Sequence, residues 1–305
     1  MLELFQIILT LLLFFILSII NMGIIIKVKA FFGGRCGAPV LQKMYDILKL
    51  VKKSIKLSQT TSWVFFAAPF CALVVPLFAF LFLPFADIPP LISFEGDFLL
   101  FVYIFGVLRF FTTSSALDTS SSFEGMGSAR ELTFSFLVEP ILFICLIILA
   151  KGTSSLTLYG FFGSHILEAW QDYSTIFGIV VVCFLVILLV ENARIPFDDP
   201  STHLELTMIH EAMVLDHSGP LLASIILGGA MKLTVYAILL VDLAIPFKTN
   251  ILFFDVLIAI TGVLGVGVIV GIIESVMARF RLNAINKVLI GMLIVSLFGI
   301  ILITR

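Results

Sequence analysis

The densest group of charged side chains in this apolar chain lies in the segment ENARIPFDDP, residues 191–200. Its ionisable members are Glu191, Arg194, Asp198 and Asp199. The segment directly follows an apolar run over residues 174–190, so the chain passes from a hydrocarbon-compatible stretch straight into titratable side chains. Carboxylates and a guanidinium at such a junction can exchange protons or hold a charged partner. We therefore look for function here first.

Ionisable residues also occur inside the apolar segments, where each costs on the order of 3 kcal/mol at the centre of a bilayer. They include Arg109, Glu139, Lys232 and Glu274. One interpretation is that ion pairs hold the helices together, for instance Glu139 with Lys232 or Arg109 with Glu274. The other is a proton relay, because burial and neighbouring charges can shift the pKa values of such groups. For the set as a whole, ion or proton handling is the favoured interpretation.

Other polar residues carry weaker signals. Asp242 and Asp255 lie near the ends of apolar segments, where their carboxylates can reach an interface without a special role. A histidine group in one connection comprises His203, His210, Glu211 and His217. The zinc-protease pattern is absent, because no second histidine follows His210 at the required spacing. We predict no metal site, and catalysis by this chain alone is not expected.

The composition defines the class of protein. Of 305 residues, 61% are hydrophobic and 12% are charged, which is about half the charged fraction of a normal soluble surface. The net charge of −2 gives no reason to expect a nucleic-acid partner, and the four cysteines show neither disulfide nor metal-binding spacing. No linker or repeat is visible. The sequence predicts a single integral membrane domain over residues 1–305.

Eight segments are long and apolar enough to cross a bilayer, which takes roughly 20 residues of helix. We predict spanning helices at residues 2–26, 63–86, 97–116, 130–150, 174–191, 219–243, 251–275 and 285–304. Pro69, Pro76 and Pro84 predict a bend in the second of them. The expected fold is therefore an all-α polytopic membrane protein with about eight transmembrane helices.

The positions of lysine and arginine predict the orientation. The connection between the first two spans contains Asp46 as its single acid. Its basic residues are Lys27, Lys29, Arg35, Lys43, Lys49, Lys52, Lys53 and Lys56. Most basic residues of the later connections fall on the same side. The positive-inside rule places this side in the cytoplasm and both termini on the other side of the inner membrane.

Two connections on the basic side are expected to contain helices. After Pro39, apolar residues recur at helical spacing with most lysines elsewhere on the helix surface, which predicts an amphipathic helix at the interface. Asp199 is an N-cap residue type and Pro200 suits the first helical position, so a short helix is expected to follow with Leu204, Met208 and Ala212 on one face. Either helix could simply anchor the chain on anionic lipid, and this alternative stays open.

Three motifs, in their order along the chain, resemble the complex I subunit 1 family, the membrane subunit of NADH dehydrogenase that holds the hydrophilic arm. They are GRCGAPVLQKMYDILKL (residues 34–50), ENARIPFDDP (191–200) and ESVMARFRL (274–282). The resemblance covers nearly the whole chain. Within the family, the segment from Ala116 to Pro140 and the lysine at position 232 are most similar to formate hydrogenlyase subunit 4 and hydrogenase-4 component C.

The resemblance implies a non-catalytic membrane subunit that links electron transfer to proton or sodium translocation. This chain would bind no cofactor, because the iron–sulfur clusters and a nickel–iron centre are expected in partner subunits. The partners implied are hydrophilic hydrogenase and iron–sulfur subunits on the cytoplasmic side and antiporter-like membrane subunits in the bilayer. The ion-coupling path would comprise Glu139, Glu191, Lys232, Glu274, Glu205 and Glu211. The docking face would comprise Arg35, Asp46, Arg109, Asp118, Arg130, Glu131, Asn192, Arg194 and Asp198.

Two other functions stay open. The chain could be the quinone-binding subunit of an NADH:quinone oxidoreductase, although the members of that branch usually carry a carboxylate where Lys232 stands. It could also be a free-standing ion transporter, although the inverted repeats common in such folds are not visible. This chain departs from the family's pattern in the coupling path. In the family the helix after Pro-Phe-Asp is normally rich in glutamate, whereas the segment after Asp198 here contains His203 and His210.

Overall fold

The computed structural model describes residues 2–58, 60–86, 88–163, 165–199, 208–249 and 251–304. Within these ranges the helices are α1 (Leu2–Phe32), α2 (Gln42–Val51), α3 (Trp63–Phe80), α4 (Asp97–Asp118), α5 (Ser122–Thr153), α6 (Leu158–Phe161), α7 (His165–Asp172), α8 (Ser174–Glu191), α9 (His210–Met213), α10 (Gly219–Ala244), α11 (Leu252–Val276) and α12 (Leu282–Ile303). The only extended pairing in the same ranges is an isolated bridge between Phe85 and Ile88.

Eight of these helices are long and apolar enough to cross a membrane: α1, α3, α4, α5, α8, α10, α11 and α12. The prediction of an all-α, eight-helix membrane fold is confirmed. Some boundaries differ. Helix α3 ends at Phe80, so Pro84 lies in the turn beyond it, whereas α5 starts at Ser122, well before residue 130. The polar start of α5 packs on α9 and includes the buried residues Glu124, Gly127 and Ser128, which hydropathy alone cannot indicate.

Helix α10 is the centre of the bundle. It contacts α1, α2, α3, α8 and α11. In its apolar 18-residue stretch, 72% of the residues are buried. Close backbone approach makes this packing dense: a Cβ atom on Gly228 would collide with the Ala72 carbonyl of α3. Helix α11 packs closely on α1, where Gly267 leaves room for the side-chain amide of Asn21. Small residues serve this purpose in lipid, where helix association depends on dispersion contact rather than on the hydrophobic effect.

One end of the bundle carries most of the lysines and arginines. Its connections are joined by hydrogen bonds, since Lys56 N donates to Ser218 Oγ at 2.9 Å and Phe280 N donates to the Pro196 carbonyl at 2.8 Å. We call this end the basic face. It comprises residues 27–58, 60–62, 118–122, 191–199, 208–219 and 277–282.

Helix α2 is the predicted amphipathic helix of the basic face. It packs on α10 but has no fully buried residue. Its exposed apolar residues are Met44, Tyr45, Leu48 and Val51. The connection predicted to hold the second helix contains α9 within its described residues. Most of that prediction, from Pro200 through Leu204, lies outside the described residues.

Candidate functional site

Arg109 of α4 lies at the centre of a group of buried charges. Its guanidinium pairs with Glu139 of α5 and, at 2.5 Å, with Oε1 of Glu191 at the end of α8. Arg109 and Glu191 are more than nine-tenths buried, whereas 40% of the Glu139 side chain is exposed. One guanidinium therefore joins three helices, the consecutive α4 and α5 and the later α8.

Lys232 of α10 completes this central group. Its Nζ lies 2.8 Å from Oε2 of Glu191 and donates to the backbone carbonyl of the same residue at 2.7 Å. The ammonium is also 5.8 Å from the centroid of the Phe105 ring, a cation–π distance. Two cations and two carboxylates make the central group formally neutral, which is what burial of charges requires.

A second group of charges surrounds Glu274 of α11. Its carboxylate is fully enclosed and lies 2.8 Å from Lys29 Nζ and 3.3 Å from Arg194 Nη1. The other terminal nitrogen of Arg194 contacts the Met22 sulfur at 2.5 Å. The segment after α8 is thereby held between α1 and α11.

Asp198 fixes the rest of the ENARIPFDDP segment. The carboxylate is almost completely buried and its Oδ1 lies 2.8 Å from Arg279 Nη2. Its Oδ2 accepts hydrogen bonds from the backbone N–H groups of Ile209 and His210, at 3.2 and 3.0 Å. These bonds hold the start of α9 against the segment.

Both groups of charges line one cavity of about 380 Å³. Its ionisable wall residues are Lys29, Lys43, Arg109, Glu131, Glu191, Arg194, His210, Glu211, Lys232 and Glu274. The cavity connects the basic face with Lys232, which lies thirteen residues into α10, or about 20 Å along the helix axis. A cavity of this size and polarity can hold several water molecules or part of an amphiphilic ligand.

The predicted coupling residues mostly meet at this cavity. Glu191, Lys232, Glu274 and Glu211 line it, and Glu139 reaches it through Arg109. The pairs themselves differ from the two examples offered by the sequence, because Glu139 pairs with Arg109 and Lys232 pairs with Glu191. Glu205, together with His203, lies outside the described residues.

The predicted docking residues divide into an outer and an inner set. Arg35 is exposed, and Asp46 and Asp118 are half-buried at the same face. Arg130, also half-buried, donates to the Met208 carbonyl at 3.0 Å. The inner set comprises Arg109, Glu131, Asn192, Arg194 and Asp198. Of these, Asp198 is buried beside Arg279 and the others line the cavity, so the inner set belongs to the charge groups rather than to an exposed surface.

Two functional candidates were missed by sequence reasoning. In the sequence, Lys29 was used only to predict the orientation of the chain in the membrane. In the structure it lies in the last turn of α1 and pairs with Glu274. Tyr236 is fully buried one helical turn after Lys232, and its hydroxyl has no hydrogen-bond partner within the described part of the chain. A buried hydroxyl without a partner is uncommon in folded proteins, which makes Tyr236 a candidate member of the site. The sequence signal that could have identified Tyr236 is its spacing of four residues from Lys232, which places both side chains on one face of α10.

Asp255 differs from its expectation. It is 4% exposed rather than free at an interface, and its Oδ1 accepts hydrogen bonds from Thr249 N at 2.8 Å and Thr249 Oγ1 at 2.7 Å. Asp242 is half-buried, and the two aspartates line a small cavity of about 30 Å³ at the end of the bundle opposite the basic face. Hydropathy does not indicate that the end of α10 and the start of α11 cover these carboxylates.

His217 is buried on the basic face, just before the start of α10, and does not join the charge groups. Its ring stacks on Phe65 with centroids 4.0 Å apart, and its Nε2 is 3.4 Å from the Phe65 carbonyl. Burial lowers the pKa of His217 to about 4, because desolvation disfavours the imidazolium. The side chain is therefore neutral at pH 7.

Comparisons with known proteins agree with this architecture. The family model for NADH dehydrogenase matches residues 5–304. Hydrogenase-4 component C of Escherichia coli K12 is 30% identical over 273 residues, covering 87% of this chain and 85% of that protein. Formate hydrogenlyase subunit 4 of the same strain is 27% identical over 276 residues, covering 87% of each.

A solved structure shares the fold. A chain of the membrane-bound sulfane sulfur reductase, described as an archaeal respiratory membrane complex, matches with a TM-score of 0.82 over 97% of both chains. The sequence identity is 19%, so this match concerns the arrangement of helices alone.

Proposed function

Because the chain belongs to the NADH dehydrogenase family of complex I subunit 1-like proteins, we propose that it is the arm-anchoring and ion-coupling membrane subunit of a respiratory-type redox complex. The complex would be of the hydrogenase-4 and formate hydrogenlyase kind, in keeping with the names of the relatives. The observation that carries the proposal is the cavity that connects the basic face with the charge group around Arg109.

The coupling step follows from how the charges share partners. Glu191 is held by two cations, and Arg109 is shared between two carboxylates. A change of charge on a redox partner at the basic face would act first on the outer acids of the cavity, such as Glu211. Rearrangement of the shared pairs would then carry the effect to Lys232. Low dielectric inside the bundle makes each such change energetically large.

A neighbouring membrane subunit is part of the proposal. The Glu139 side chain is 40% exposed although it lies inside a spanning helix, and it is flanked on the same helix by Phe136, which is 77% exposed. A carboxylate facing lipid would be costly, so a protein partner of antiporter-like type is expected to cover this side. Ions would leave the central group through that contact.

The soluble arm would sit on the basic face, which the positive-inside rule assigns to the cytoplasm. We assign the iron–sulfur clusters and the nickel–iron centre to this arm, and none of them to the present chain. The lysines at the end of α2, Lys49, Lys52 and Lys53, are exposed and provide charge for an acidic partner surface.

The anchoring role is tested by affinity purification through a tag on this chain. We expect iron–sulfur and hydrogenase subunits to copurify from native membranes. Simultaneous Lys→Glu substitution at positions 49, 52 and 53 should lower recovery of the arm at least tenfold after a salt wash, because attraction becomes repulsion.

Lys151→Glu is the matched control, because Lys151 is equally exposed but lies at the other end of the bundle, at the end of α5. Full recovery of the arm with the triple variant, or equal loss with the control, would contradict docking through the basic face. A set of copurifying subunits that oxidises NADH would instead assign the chain to a true complex I.

The size of the cavity favours one second candidate, a quinone-binding subunit. Its apolar wall includes Ile25 of α1 and Ile225 of α10, and Lys43 of α2 lies at its rim. Photolabelling of the chain by a quinone analogue near Arg35 would support this function. Labelling that an excess of unlabelled quinone fails to suppress would count against it.

A further inference from the structure

A third carboxylate, that of Glu131 on α5, lies beside the central group of Arg109, Glu139, Glu191 and Lys232. The family resemblance assigns Glu131 to the docking face, whereas the structure places it half-buried in the wall of the large cavity. The ion pairs of the central group use the other two carboxylates. Within the described ranges, the Glu131 carboxylate forms neither an ion pair nor a hydrogen bond. Its role in the cavity is therefore still open.

Charges of both signs surround Glu131. The guanidinium of Arg109 interacts electrostatically with Glu131 as well as with its two ion-pair partners, so three carboxylates compete for one cation. The titratable and charged groups that face Glu131 from the neighbouring helices are Arg109 from α4, Glu191 from α8, His210 from α9 and Lys232 from α10.

A proton on Glu131 decides the net charge of this enlarged group. Arg109 and Lys232 already balance Glu139 and Glu191, so an ionised Glu131 adds one uncompensated negative charge inside the bundle. A protonated carboxyl group leaves the observed pairs balanced. Loss of the proton creates a carboxylate that competes with Glu191 for the same two cations. The protonation state of Glu131 thus controls which pairs are stable.

Glu131 lies between the basic face and the inner end of the cavity. Along α5 it is nine residues from Ser122 at the basic face, or about 14 Å, and Glu139 is eight residues further, or about 12 Å. His210, on the basic face, lines the same cavity. An imidazole can accept or donate a proton near neutral pH. A proton that leaves Glu131 therefore has an acceptor on the side where a redox partner would sit.

We propose that Glu131 is the proton-loading carboxyl group that switches the ion pairs of the central group. In the loaded state Glu131 keeps its proton and Glu191 holds both cations, as observed. Transfer of the proton to His210 leaves a carboxylate that draws Lys232 away from Glu191, and return of the proton restores the original pair.

This inference rests on the coupling function proposed above and names the group of the cavity that responds to the basic face. Glu131 acts through the ion pairs of Glu191 and Lys232, so it is a positioning residue. The two experiments below separate its own failure from a failure of the coupling function.

The first experiment asks whether Glu131 carries a proton in the full-length chain in lipid nanodiscs, which does not depend on ion coupling. Dicyclohexylcarbodiimide adds to a protonated carboxyl group and, after rearrangement, remains there as a stable N-acylurea. Labelled peptides are identified by mass spectrometry at neutral pH. We expect at least tenfold more label on Glu131 than on Glu191 or Glu274, which line the same cavity but are ion-paired. No label on Glu131, or equal label on the three residues, would overturn the proposal.

The second experiment measures ion translocation by the whole complex in proteoliposomes at equal electron flow. Glu131→Gln keeps the size and polarity of the side chain but cannot gain or lose a proton, so translocation should fall at least tenfold. Glu131→Asp keeps a titratable carboxyl group and should retain translocation with a displaced pH profile. A purely structural role predicts the opposite order, because glutamine preserves the length of the side chain and aspartate does not.

Glu124→Gln is the matched control, because Glu124 is buried on the same helix but does not line the large cavity. Its carboxylate is held by the Thr119 hydroxyl and the Asp216 backbone N–H. This variant should translocate ions with the pH profile of the unmodified complex, and an equal loss in it would contradict a specific role of Glu131.

The outcome for Lys232→Met shows which proposal fails. Normal translocation in Glu131→Gln, together with its loss in Lys232→Met, would overturn the role of Glu131 alone. Normal translocation in both variants would overturn the coupling function as well.

Discussion

Glu191 decides how the central charges are arranged, because its carboxylate binds both Arg109 and Lys232 while its carbonyl binds the same lysine. Removing either cation would leave a buried negative charge with one partner fewer, a change that typically costs about 3–5 kcal/mol. This sensitivity suits a coupling element, since a modest change of charge nearby can alter which pairs form. At the residue scale, therefore, the charged partners of Glu191 are the first targets for mutation.

Lys232→Met should abolish ion translocation while electron transfer and assembly of the complex continue. The substitution keeps much of the side-chain volume but removes the Nζ that bridges α10 and Glu191. Glu139→Gln should have a similar effect through Arg109. Both effects are measured as the ion gradient formed in proteoliposomes at equal electron flow.

Lys151→Met is the control for Lys232→Met, because Lys151 is exposed at the end of α5. It should translocate ions normally. Unchanged translocation in both Lys232→Met and Glu139→Gln would exclude a relay through the central group.

His217 predicts a pH dependence of stability. Burial lowers its pKa in the folded chain to about 4, whereas the unfolded value is about 6.5. Between these values the unfolded state binds more protons, so stability should be fully present above pH 6.5 and should decrease as the pH falls toward 4. The check is the unfolding midpoint of the chain in nanodiscs over pH 4–7. His217→Gln should flatten the slope, and an equally steep slope in that variant would assign it to other groups.

At the scale of elements, α10 connects every part of the proposed machinery. It carries Lys232 and Tyr236, its first half lines the large cavity, and its end helps to enclose the small one. The helix can be this central because Gly228 allows its backbone to touch that of Ala72 in α3. A larger residue there would move α10 and, with it, the charges at both cavities.

Gly228→Ala tests this close contact. The added methyl group would collide with the Ala72 carbonyl, and such overpacking typically costs about 1–3 kcal/mol. Gly229→Ala is the matched control on the same helix, because a Cβ at that position meets no atom within 4 Å. We expect a lower unfolding midpoint for the first variant only. Equal midpoints for the two variants would show that the packing of α10 on α3 tolerates the change.

At the scale of the whole molecule, a basic face, an inner cavity and a partly exposed carboxylate point to a component of an assembly. The Glu139 side chain opens on the side of the bundle, whereas Arg109 and Glu191 are buried inside it. A complete ion path would thus need a second membrane protein. This agrees with a subunit role and distinguishes the chain from a free-standing transporter.

The chain reconstituted alone in liposomes should therefore carry no net proton or sodium flux. The measurement is ion-driven quenching of a pH-sensitive dye, or uptake of labelled sodium, after a gradient is imposed. Liposomes containing the whole complex serve as the positive control. Flux through the isolated chain that Lys232→Met removes would revive the transporter alternative.

Part of the site was already predictable from residues that are individually anomalous. Glu139, Lys232 and Glu274 stand out because charge inside an apolar helix is costly wherever its partner lies. Their pairings were not predictable, because Arg109 and Glu191 are 82 positions apart and join helices whose relative rotation is not encoded locally. Lys29 and Asp255 were misjudged for the same reason, since a position near a helix end looks solvated until a neighbouring helix covers it.

The sequence by itself determined the class of protein, the eight spanning helices, the amphipathic helix α2 and the family, because each of these depends on composition, period or contiguous motifs. Only the tertiary structure decided which charges share a partner, where the two cavities lie and which acids are enclosed. The physical reason is that a bilayer imposes length and hydropathy on every helix separately, whereas ion pairs and cavities arise from the rotation and close approach of helices distant in the chain.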